Sequence, residues 1–83
     1  MERLSILGST GSIGLQTLDI VRRNPERFSV TSLVAHSRWQ ELAIEAREFG
    51  VERVVIGDKS YYTALKEALA DTSVEVLAVA RLS

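Results

Sequence analysis

The chain has 83 residues, 46% of them hydrophobic and 25% charged, with a formal net charge of -1 and no cysteine. That balance excludes a disordered tail, a disulfide scaffold, a thiolate metal centre and the basic footprint of a nucleic-acid or anionic-membrane binder. The longest uninterrupted apolar run, Val76 to Ala80, suits a buried strand and is too short to cross a bilayer.

Met1-Glu2-Arg3 leads straight into a first strand near Arg3 to Leu7, so no targeting segment is expected and a cytoplasmic location is. Gly8-Ser9-Thr10-Gly11-Ser12-Ile13-Gly14 follows at once. Ser12 to Arg23 is predicted helical, with Ile13, Thr17, Ile20 and Val21 on its inner face and Asn24-Pro25 ending it. Ser29 to Ala35 reads as the second strand. The second helix, Arg38 to Phe49, puts Trp39, Leu42, Ala43, Ala46 and Phe49 on one stripe and stops at Gly50. Ser37 and Gln40 have the spacing of a capping box at its start. A third strand is expected at Arg53 to Ile56, a third helix at Tyr61 to Ala70 and a fourth strand at Glu75 to Ala80. In that third helix Tyr62, Leu65 and Leu69 face inward, and Ser60 or Asp58 is the cap.

Four β-rich runs alternating with three helical ones predict one α/β domain over residues 1–83. The expected architecture is a Rossmann-like half: a four-stranded parallel sheet, βαβαβαβ in order 3-2-1-4, with helices on its faces. In that order the glycine turn falls at the topological switch point, where open α/β sheets bind ligands beyond the carboxyl ends of their strands.

A glycine-rich turn between a strand and a helix can cradle phosphate. Residues without Cβ let the chain turn tightly, backbone N–H groups approach a pyrophosphate, and the helix dipole adds positive potential. The G-x-x-G-x-x-G spacing of Gly8, Gly11 and Gly14 is one residue longer at the front than the common dinucleotide form, so the flanking strand and helix carry the argument. Thr10 and Ser12 fit either turn and cap roles or direct phosphate contact, and Gly14 fits close packing of helix on strand. At the end of the second strand, where NAD-binding units place an acidic residue on the ribose 2′-OH, this chain reads His36-Ser37-Arg38. An imidazole, a hydroxyl and a guanidinium suit a 2′-phosphate, so NADP(H) is favoured over NAD(H). Trp39 reads as core, and no nucleophile triad or metal-ligand cluster is apparent.

The run LGSTGSIGLQTLDIV, ending at Val21, resembles the opening of the 1-deoxy-D-xylulose 5-phosphate reductoisomerases. The resemblance continues through Asn24-Pro25-Glu26-Arg27-Phe28, the strand ending in Val34-Ala35 and the helix holding Ala46-Arg47-Glu48-Phe49. It implies an NADPH-dependent enzyme of the non-mevalonate isoprenoid pathway, assisted by a divalent metal (Mg or Mn) and assembled as a homodimer. Such an enzyme rearranges the sugar-phosphate substrate 1-deoxy-D-xylulose 5-phosphate and reduces the intermediate aldehyde to 2-C-methyl-D-erythritol 4-phosphate. Carried over by position, the family's phosphate-contacting segment falls on Thr10, Gly11, Ser12 and Ile13, with Gly8 a further cofactor-binding candidate from the turn itself, and its 2′-phosphate segment falls on His36, Ser37 and Arg38. Many members read glycine, a basic residue and asparagine at that second segment, so here Arg38 brings the positive charge one position later. The family's metal ligands, substrate-phosphate residues and active-site loop lie past Ser83, so the expectation is an N-terminal NADP(H)-binding domain without catalytic and C-terminal domains, inactive alone. The alternatives are a stand-alone nucleotide-binding or interaction module, and the N-terminal part of another NADP-dependent reductase.

Overall fold

The computed structural model describes residues 1–79. Its elements are β1 (Glu2–Leu7), α1 (Ser12–Arg23), β2 (Phe28–Ala35), α2 (Trp39–Phe49), β3 (Arg53–Ile56), a 3₁₀ turn (Lys59–Tyr61), α3 (Tyr62–Ala68) and β4 (Glu75–Ala78). The alternation is the one the sequence predicts, and Ala80 lies outside the described residues. No helix among the described residues is long and apolar enough to cross a membrane.

All strand pairs are parallel, but the order is β1-β2-β3-β4, not the expected 3-2-1-4. The expected order requires the chain to leave β3 and cross back beyond β1. Instead β4 takes the free edge of β3, with Val54 opposite Val76 and Ile56 opposite Ala78, and α3 packs on both β4 and α2. Its Leu65 and, just past its end, Leu69 are fully buried there. Successive crossovers of one hand, each moving one strand along, lay every helix on the same face of the sheet. The helices accordingly form one contiguous layer instead of covering both faces. Arg22 of α1 donates to Glu48 of α2 at 2.9 Å, and Arg47 of α2 donates to the Ala68 carbonyl of α3 at 2.8 Å. β1 is therefore an edge strand, and among the described strands the glycine turn is not at a switch point.

Under the helices one row of side chains crosses the whole sheet, Ile6, Leu33, Val54 and Val76, and all four are buried. The next row, Leu7, Val34, Val55 and Leu77, points to the opposite face, where Leu7 is 78% and Leu77 40% exposed. A bulge sets this register: Leu4 faces Val30, Ser5 faces Ser32, and the extra residue, Thr31, donates its hydroxyl to the Leu4 carbonyl at 3.1 Å. Val30 and Leu33, three apart, consequently share the buried side.

The face that α1 buries is Gly14, Leu18 and Val21, so of the expected stripe of Ile13, Thr17, Ile20 and Val21 only Val21 is fully inside. Ile13 and Ile20 are exposed. Gly14 decides the rotation, because the only residue small enough for the closest approach to the turn must face inward. α2 buries Leu42, Ala43 and Ala46 as predicted, with Trp39 and Phe49 half-buried at its ends. It stops at Gly50, whose left-handed φ of 61° turns the chain so that the Val51 N–H also reaches the Ala46 carbonyl, at 3.4 Å.

Candidate functional site

The glycine turn leaves β1 at Gly8, whose φ of 69° is a conformation that residues with a Cβ rarely adopt. The N–H groups of Gly8 and Ser9 both donate to the Val34 carbonyl, at 2.8 and 3.0 Å, fastening the turn to the end of β2. Gly11 donates to the Gly8 carbonyl at 3.0 Å and is the N-cap residue of α1, with no side chain capping it. Among the described residues the N–H groups of Thr10, Ser12, Ile13 and Gly14 have no acceptor. These orphan donors sit at the positive end of a 12-residue helix, which is the arrangement that binds an anion.

Gly14 keeps this turn compact. A Cβ there would lie 2.7 Å from Ser9 Cα and closer still to the Gly8 carbonyl oxygen. Gly8 faces open space, and a Cβ on Gly11 would make only a tight contact, 3.4 Å from the Gly8 carbonyl oxygen. Gly8, Gly11 and Ser12 are exposed, whereas Thr10 is buried. Ile13 exposes 78% of its surface, so what it offers an anion is its amide.

Thr10 and Arg38 line one cavity of about 290 Å³ between α1 and α2, so the turn and one member of the predicted 2′-phosphate group do meet. His36 belongs elsewhere. It lines a cavity of about 510 Å³ with Gly57, Asp58, Lys59 and Val79. The Asp58 N–H donates to the His36 carbonyl at 2.7 Å. A Cβ on Gly57 would come 2.7 Å from His36 Nδ1, so the missing side chain makes room for the imidazole. The Ser60 hydroxyl and N–H both donate to Asp58 and hold its carboxyl below the ordinary value, with a smaller contribution from His36. Asp58 caps the following 3₁₀ turn, one of the two cap roles the sequence offered, but sequence reasoning passed over Gly57 and Lys59 and gave Asp58 no part in a site, although residues directly after a parallel strand lie on the ligand-binding edge.

The capping box at Ser37 and Gln40 does not form. Trp39 donates to the Ser37 carbonyl at 2.8 Å around Arg38, whose φ of -81° and ψ of 68° make an inverse γ-turn. That turn makes Arg38 the N-cap residue, and no side chain caps the helix. Ser37 is half-buried with its hydroxyl uncommitted, and the Arg38 side chain is exposed.

A second residue that sequence reasoning missed is Glu45. It is 6% exposed on the inner side of α2 and faces the fully buried Ser9 of the turn. The signal was its place three residues after Leu42, inside the apolar stripe. Among the described residues no three His, Cys, Asp or Glu side chains are grouped to hold a metal ion.

The sequence model of the 1-deoxy-D-xylulose 5-phosphate reductoisomerase family matches residues 4–81. The reductoisomerase of Desulfitobacterium hafniense (strain DSM 10664 / DCB-2) is 48% identical over 77 residues, which are 93% of this chain and 20% of that protein. The Tolumonas auensis enzyme is 51% identical over 70 residues, 84% of this chain and 18% of that one. Among solved structures, the Zymomonas mobilis reductoisomerase in complex with NADPH superimposes with a TM-score of 0.89 at 45% identity, over 93% of this chain and 20% of its own. A DOX-P reductoisomerase in complex with NADPH, fosmidomycin and magnesium gives 0.89 at 32% identity, over 95% and 20%. The chain spans about one fifth of the length of these relatives.

Proposed function

The chain belongs to the 1-deoxy-D-xylulose 5-phosphate reductoisomerase family, and we propose that its 83 residues are the N-terminal, NADPH-capturing portion of such an enzyme. The observation that carries this reading is the set of orphan N–H groups at Thr10, Ser12, Ile13 and Gly14, held open by Gly8 and Gly14. Gly8 and Gly11 shape the turn, and the four amides take the diphosphate. Arg38 beside Thr10, with the uncommitted Ser37 hydroxyl, takes the 2′-phosphate, and His36 borders the adenosine end from the neighbouring cavity. Complexes of two relatives with NADPH support the choice of cofactor.

Bound NADPH supplies hydride for reducing the aldehyde formed when 1-deoxy-D-xylulose 5-phosphate rearranges. The residues here bind and orient it. Hydride transfer also requires the substrate to be held against the nicotinamide, and the described residues address only the adenosine and diphosphate half. They do not fit a divalent metal, since no carboxylate cluster is present among them, so no metal-dependent step is assigned to them. The 83 residues on their own are accordingly expected to bind NADPH without turning over the sugar phosphate.

Titration of the purified chain with NADPH and NADH tests the reading. Arg38→Ala is expected to weaken NADPH about 10- to 100-fold, the worth of a charge-assisted hydrogen bond, and to leave NADH unchanged. Equal losses for both cofactors contradict the 2′-phosphate assignment, and no saturation near ~1 mM NADPH contradicts the cofactor role itself.

A further inference from the structure

We infer that Glu45 is a positioning residue for the glycine turn, coupled to it through Ser9, and that filling the turn with a phosphate anion draws a proton onto the Glu45 carboxyl. The inference rests on the anion-binding reading of the turn and goes beyond it. Ser9 is fully buried and Glu45 nearly so, and neither Ser9 Oγ nor Glu45 Oε1 has a hydrogen-bond partner of normal geometry. They face each other across the seam between the turn and α2, and the Ser9 hydroxyl favours the ionised carboxylate. A carboxyl placed so deep has two ways to satisfy itself. As a carboxylic acid it donates to Ser9 Oγ and carries no charge. As a carboxylate it accepts from Ser9, but it sets a negative charge behind a turn whose front takes a second one.

The surroundings favour the first state. Glu45 borders the Thr10–Arg38 cavity, whose walls include the apolar Leu15, Leu18 and Ile44. Burial raises its pKa above the ordinary 4.5, the Ser9 hydroxyl opposes the rise, and Glu41 and Glu48 on the same helix add to it. Arg22 of α1 pulls the other way, but its guanidinium is committed to Glu48 and Asp19. Arg38 lines the cavity from the head of α2. Because the folded carboxyl binds its proton more tightly than the unfolded one, its contribution to stability is complete below 4.5 and is lost as pH rises through the raised value. An anion on the turn raises that value further, and by linkage protonation of Glu45 strengthens anion binding.

Calorimetric titration with NADP⁺ from about pH 5 to about pH 8, on the native chain and Glu45→Gln, tests this, with thermal unfolding as the control for folding; affinity is expected to fall by up to tenfold per pH unit more steeply in the native chain. The amide of Glu45→Gln mimics the neutral acid. The cofactor's own phosphate ionises alike with both chains, so the difference between them reports Glu45. Repeating the titration in buffers of different ionisation enthalpy should show proton uptake by the native chain that Glu45→Gln lacks. Parallel pH profiles with equal proton uptake overturn the role of Glu45 while leaving the cofactor site standing. Absence of binding by both folded chains at about pH 5 overturns the inference through the failure of the anion site itself.

Discussion

Gly14 is the most confined of the glycines, because its Cα–H faces the backbone of Gly8 and Ser9. Gly14→Ala is expected to cost more than about 3 kcal/mol, since both colliding groups are backbone and cannot move aside. Gly8→Ala should cost only about 1–2 kcal/mol, the penalty of a left-handed conformation in open space. Denaturant melts of the two variants check this order, and equal losses would mean that the turn is not pinned against α1. The turn was legible from the sequence because three glycines spaced by three between a strand and a helix favour a tight bend over any regular element. Glu45 was not, since a glutamate in a helix is ordinarily solvated and Ser9, the buried hydroxyl it faces, lies 36 positions away in the chain.

On α2 two carboxyl groups three residues apart have pKa values displaced in opposite directions. Glu48 is exposed, and the Arg22 guanidinium from α1 holds its pKa below 4.5. Its contribution to stability is therefore present above 4.5 and lost as pH falls through the lowered value, the reverse of Glu45. Glu48→Gln should lower the thermal midpoint slightly at about pH 7 and have no effect in acid, whereas Glu45→Gln should raise it at about pH 7. Midpoints measured across pH check the signs, and a common direction for both variants would contradict the environments described for them. The ends of α1, α2 and β3 could be read closely from Asn24-Pro25, Gly50 and the apolar runs. The start of α2 was legible to within one residue but its cap was not, because the inverse γ-turn at Arg38 shifts the first helical turn beyond reach of the Ser37 side chain.

At the scale of the whole molecule, the parallel sheet carries its helices on one face. Leu33→Ala, in the buried row, should cost about 2–5 kcal/mol, a large share of the ~5–15 kcal/mol that holds such a domain together. Leu77→Ser, in the opposite row, should stay within about 0.5 kcal/mol, and a large loss there would show that face to be packed. Fold class was legible because period-2 and period-3.6 runs alternate along the chain. Strand order was not, because Val76 to Ala80 is apolar enough for either a central or an outer place, and only the packing of Leu65 and Leu69 against β4 decides it. The most direct measurement is amide NMR of the chain titrated with NADPH. Saturable shifts are expected at Thr10, Ser12, Ile13 and Gly14, with a second group at Ser37 and Arg38. Unmoved signals from the glycine turn while shifts gather elsewhere on the molecule would contradict the account.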